Sequence, residues 1–131
     1  MGVTAIKGFH NETPGSVIVR NEERDGEERT IEASGDLDWD IWIPWCTSRN
    51  DFDNGKYITI DVQKTNDPER PRIKYWIWQH DNGTNDRIRW SVDEGDWDRY
   101  ADPVYGDSYV NGDRHVQIYA NGSVEFNEIA S

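Results

Sequence analysis

The sequence predicts an all-β fold, a single-domain antiparallel β-sandwich over residues 1–131, and three observations carry that expectation. Apolar residues recur with period two and hardly anywhere with the helical period. Clusters rich in Gly, Pro, Asn and Asp break the chain at short intervals, leaving scarcely room for a helix. A chain of 131 residues can also bury one core without a linker or a second module.

The elements follow in order. Strands are expected at residues 3–9 and 16–20, joined by "NETPG", then at 29–33 after "RDGEE" and at 37–45. After the turn-rich "RNDFDNG", "YITIDV" places Ile58, Ile60 and Val62 on one face and Tyr57, Thr59 and Asp61 on the other. "TNDPERP" leads to a strand at 73–79, and "HDNGTND" leads to "RIRWSV", where Ile88, Trp90 and Val92 alternate with Arg87, Arg89 and Ser91. The chain closes with "RHVQIYANGSVEFNEI", in which Asn121-Gly122 is read as the tight turn of a hairpin with positive φ at both positions. Nine strands result.

Three aromatic stretches bear on function. In "WDIWIPWC", alternation sends Trp39, Ile41, Ile43 and Trp45 to one face, the expected core, and Asp40, Trp42, Pro44 and Cys46 to the other. Pro44 cannot donate to a ladder, so the strand is expected to end or lie at an edge there. Trp42 is left as a ring available to a ligand. In "KYWIWQ", Ile73, Tyr75 and Ile77 alternate with Lys74, Trp76 and Trp78, which fits a central strand covered on both faces or a strand with a ring reserved for a ligand. The third, "DEGDWDRYADPVYGDSY", interleaves Trp97, Tyr100, Tyr105 and Tyr109 with Asp98, Arg99 and further carboxylates and shows no period. It reads as a long exposed loop whose rings either stack on a sugar or sit at a headgroup boundary, or fold back to cap the sandwich.

Charge narrows the partners. With 26 acidic against 14 basic residues the chain carries a formal charge of -12, which repels nucleic acid and anionic leaflets alike. Arginine outnumbers lysine ten to four, so adaptation of the surface to salt is an alternative account of the acidity. No apolar run is long enough for a transmembrane segment, and "MGVTAIKGFHNE" lacks a secretory h-region. The expectation is a soluble protein, cytoplasmic or released without a signal peptide. Sequons start at Asn11, Asn82 and Asn121, and they are read as turn chemistry.

Catalysis is not expected. His10, His80 and His115 lie on separate segments, neither a zinc-protease nor a nucleophile-elbow motif occurs, and Cys46, the single cysteine, has no identifiable base and is read as a buried thiol. No cofactor is implied. Asp51 and Asp53 in "DFDNG" resemble part of a calcium loop, but the later glutamate is missing, and a turn-rich hairpin connection is the preferred reading.

The run from Cys46 through "NGKYITIDV" to "RIKYWIWQHDNGTNDRIRWSV" resembles the middle of the aegerolysins, small acidic β-sandwich proteins, and "GFHNETPGSVIV" is similar to the first hairpin of that family and of actinoporin-like sandwiches. The family's second cysteine, which commonly follows the aromatic strand, is absent from "WIWQHDNG". The resemblance implies recognition of a membrane lipid such as a sphingolipid, at times with a larger pore-forming protein partner, and it places Tyr75, Trp76 and Trp78 on the family's aromatic strand. Lipid recognition therefore ranks first, with Trp42, Trp97, Tyr100, Arg99 and Asp98 beside that strand as candidate ligand contacts. A soluble lectin using the same rings ranks second, and an acidic interaction or inhibitor protein third.

Overall fold

The computed structural model describes residues 4–63, 72–80, 87–97 and 101–129. Among these residues ten strands form two five-stranded sheets. In the first sheet β1 (Thr4–Asn11), β4 (Asp36–Trp42), β8 (Tyr105–Gly106), β9 (Gly112–Ile118) and β10 (Val124–Glu128) lie in the order β4-β1-β9-β10-β8. In the second, β2 (Val17–Asn21), β3 (Glu27–Ile31), β5 (Ile58–Val62), β6 (Ile73–His80) and β7 (Arg87–Val92) lie in the order β3-β2-β5-β6-β7. The all-β sandwich expected from the alternation is the fold observed. Its core is filled by the alternating residues of both sheets, among them Ile6, Phe9, Val19, Ile60, Ile77 and Phe126. Each such side chain contributes about 1.5–3 kcal/mol through burial. No helix among the described residues is long and apolar enough to cross a membrane.

Three expectations about local structure are corrected. Pairing is mostly antiparallel, but β1 runs parallel to β9 and β10 parallel to β8. Alternation specifies which face a residue occupies and says nothing of strand direction, and no hairpin links β1 to β9. The closing hairpin uses a three-residue turn. Gly122 alone is left-handed, at φ 87°, while its N–H donates to the Tyr119 carbonyl and Asn121 caps the turn by accepting from Ser123 N and Oγ. "RNDFDNG" contains a helical turn, α1 (Arg49–Asp53), opened by Ser48, whose Oγ accepts from Asp51 N at 3.2 Å. Five residues are too few to show a helical period.

"WDIWIPWC" is where the chain changes sheets. β4 ends at Trp42, Ile43 N still bonds to Thr4 O, and beyond Pro44 the backbone pairs with Gln79 of the other sheet through Pro44 O and Cys46 N, at 2.7 and 2.9 Å. Pro44, with no N–H to lose, sits at the switch. Strict alternation therefore stops at Ile43. Trp45 is half-buried outside the strand, opposite Gln79, and Trp39 is half-buried against the core, so neither is the fully enclosed core ring expected. Pro44 and Cys46 are buried instead.

A second, smaller cluster covers the outer face of the second sheet at β6. Trp78 and Cys46 are fully buried there with Phe52 of α1 and Ala101, and Trp76, Tyr57 and Trp97 pack around them. Residues 93–97 and 101–109 are thus not a free loop. Ala101 and Val104 are buried, Trp90 N donates to Asp102 O, and Tyr105–Gly106 forms β8.

Candidate binding grooves

Burial sorts the candidate rings first. Tyr75 lies in the main core and donates its hydroxyl to Gly122 O at 2.9 Å, and Trp78 is fully enclosed against Phe52, edge-on at 5.6 Å, so neither presents a face to a ligand. Both leave the set of candidate contacts, because the strand that carries them is covered on both faces. Trp76 is half-buried, with Lys74 Nζ 4.9 Å above its ring and Gly95 beneath the ring edge. Asp98, Arg99 and Tyr100 lie outside the described residues. Trp42 and Trp97 remain, and the fold places them on opposite flanks.

Trp42 stands where the edge strands β3 and β4 meet. It is 56% exposed, the most open tryptophan described. The Asn21 side chain accepts from Glu23 N to start the 3-10 turn Glu22–Arg24, and Asp25 and Gly26, at φ 58° and 72°, reverse the chain into β3. That turn brings Arg24 and Glu27 beside β4. Together with Asn21, Trp39, Asp40 and Trp42 they line a groove of about 220 Å³. Arg29 stacks on Trp39 with its guanidinium carbon 5.0 Å from the ring centroid, and Lys7 holds Asp40 at 2.8 Å. The groove thus offers an open indole ring beside fixed carboxylates, an amide and a guanidinium.

Trp97 belongs to the other flank, beside the edge strand β7. With Trp90, Ser91, Glu94, Asp96 and Asp102 it lines a groove of about 400 Å³. Ser91 Oγ accepts from Asp96 N at 3.4 Å, and Arg49 donates to Asp96 at 2.6 Å and to Trp97 O. The bond from Arg49 holds the Asp96 carboxyl below its ordinary range. Trp97 is half-buried and tilts over His80 with centroids 5.9 Å apart, so this ring does partly fold back as a cap. The sequence did not single out Arg24 or Glu27, which reach Trp39 and Trp42 only through chain reversal and the approach of β3 to β4, whereas Glu94, Asp96 and Asp102 belong to the acidic aromatic stretch that holds Trp97.

Of the two weak metal candidates, Asp51 is engaged in capping. Asp51 Oδ2 accepts from Thr47 N and Oγ1, both at 3.1 Å, and the described residues contain no group of three or more acidic, His or Cys side chains arranged to hold a metal. No protein-family model matches the chain, and neither does any curated protein or solved structure.

Proposed function

We propose that the protein is a non-catalytic, lectin-type module that binds a neutral glycan in the groove at Trp42. The observation that carries this reading is the 56% exposed Trp42 ring among Asn21, Arg24, Glu27 and Asp40. A pyranose has an apolar face to lay on an indole and hydroxyls that both donate and accept, which suits carboxylates, an amide and a guanidinium around one ring. Insertion into a bilayer suits it less. Asp36, Asp38 and Asp40 are exposed beside Trp42 on β4, and the desolvation of such carboxylates opposes burial in lipid. The aromatic strand that the family resemblance assigned to lipid has two of its three rings buried, Tyr75 and Trp78.

Titration of wild type and Trp42→Ala with cellotriose, xylotriose, mannotriose and chitotriose tests the reading. Wild type is expected to bind at least one trisaccharide, and Trp42→Ala to weaken that binding about tenfold or more, equivalent to about 1.4 kcal/mol. Sedimentation with phosphatidylcholine, sphingomyelin and cholesterol vesicles is the second arm. Retention on vesicles that free sugar does not reverse, with no trisaccharide bound, overturns the glycan reading in favour of lipid.

A further inference from the structure

The two grooves lie on opposite flanks of the sandwich. β3 and β4 close one flank, where Arg29 of one sheet stacks on Trp39 of the other, and β7 and β8 close the second, where Trp90 meets Tyr105 edge-on at 5.2 Å. From β3 to β7 there are four strand spacings, about 19 Å. A single sugar ring in one groove cannot reach the other. Two indoles line each groove, Trp39 and Trp42 in one and Trp90 and Trp97 in the other, and each also holds carboxylates and a small polar side chain, Asn21 or Ser91.

The larger groove offers chemistry of the same kind as the first. Its charged lining residues are Glu94, Asp96 and Asp102, which accept, with the Ser91 hydroxyl beside them and the half-buried Trp97 ring at its wall. A polyol suits such a lining, because its hydroxyls donate to carboxylates and its apolar face can lie on an indole.

We infer that the Trp90–Trp97 groove is a second glycan site, making each chain bivalent and able to link two glycan-bearing surfaces. This rests on the glycan reading of the first groove. Two sites facing away from each other cannot both engage one surface, so their consequence is the linking of two surfaces rather than avidity on one.

The test counts trisaccharides bound per chain by calorimetry, using the four sugars named above. Wild type is expected to take up two equivalents, Trp42→Ala one, and Glu94→Ala combined with Asp102→Ala one, since both carboxylates are exposed and their removal spares the fold. The triple variant takes up none. Beads coated with the bound trisaccharide aggregate with wild type, and either single-flank variant coats them without linking them. One equivalent in wild type overturns the inference; if Trp42→Ala removes it, the first groove stands alone. No uptake of any of the four sugars overturns the glycan reading itself and the second site with it.

Discussion

The Tyr75 hydroxyl donates to the Gly122 carbonyl oxygen across 2.9 Å, tying β6 of the second sheet to the hairpin tip of the first. The Tyr75 ring also packs on Trp90, with centroids 4.9 Å apart. Burial raises the phenol from its ordinary 10.0 to about 12, with Asp93 adding to the shift. The folded state therefore keeps the proton that the unfolded chain releases, and this contribution, complete below pH 10, is lost as pH rises toward 12. Tyr75→Phe is expected to cost about 1–2 kcal/mol at pH 8, because the Gly122 carbonyl loses its donor. Chemical denaturation at pH 8, 10 and 11 checks this: the gap between the two proteins should narrow across that window, and a constant gap would remove the link to ionisation.

Asn11 is fully buried although it opens an N-x-Thr sequon. Its Nδ2 donates to the carbonyls of Gly15, Ile31 and Glu32, and its Oδ1 accepts from Thr13 N and Oγ1. One amide thus ties the β1–β2 turn to the end of β3. Asn11→Ala leaves these groups buried without partners and is expected to cost about 3 kcal/mol. Asn11→Asp keeps the acceptor but turns a carboxylate oxygen toward three carbonyls in a buried site, so at neutral pH its melting temperature should fall at least as far as that of the alanine variant.

The readability of this chain follows from which physical signals are local. Alternation in 57–62, 73–79 and 87–90 identified the residues that face the core, so the sandwich and its strands were visible, as was the exposure of Trp42; Val92, expected on the core face, is 40% exposed because β7 ends there. Strand direction was not, since the parallel contact of β1 with β9 joins residues over a hundred positions apart, such as Thr4 and Gly112. Trp78 was ambiguous for a related reason. Its face is covered by α1, from 20 or more residues upstream, together with Ala101 and Trp97 from downstream, and none of these is visible in the strand itself. The grooves were half legible: their rings stood out in composition and the carboxylates around Trp97 lay in the same stretch, while Arg24 and Glu27 reach Trp42 through a chain reversal that no spacing reveals.

Cys46 is fully buried in the smaller cluster, where desolvation raises its thiol from 9.0 to about 12 and Sγ donates to Ser48 O at 3.5 Å. At pH 8 the native thiol is protonated and shielded. Ellman's reagent should label almost no thiol in the folded protein and one per chain in guanidinium chloride. The unfolded thiol ionises near pH 9 while the folded one does not, so this group's share of stability falls between pH 9 and 12 by up to about 1.4 kcal/mol per unit. Cys46→Ala should be less stable than wild type at pH 8 and approach it at pH 11. Rapid labelling of the native protein at pH 8 would contradict the burial.

Two tryptophans that the sequence treated alike should separate completely under mutation. Trp78 is fully enclosed against Phe52 and Cys46, whereas Trp42 is 56% exposed at the rim of its groove. Trp78→Ala removes a large ring from a packed cluster and is expected to cost about 3–5 kcal/mol. Trp42→Ala removes a ring that already faces water, and its effect on stability should stay within about 0.5 kcal/mol. Acrylamide quenching gives an independent reading, because Trp42→Phe should remove the most quenchable part of the emission while Trp78→Phe leaves it in place. Paired thermal melts decide the point: a Trp42→Ala protein that melts as early as Trp78→Ala would mean the ring holds the sandwich together, and the groove would lose its platform.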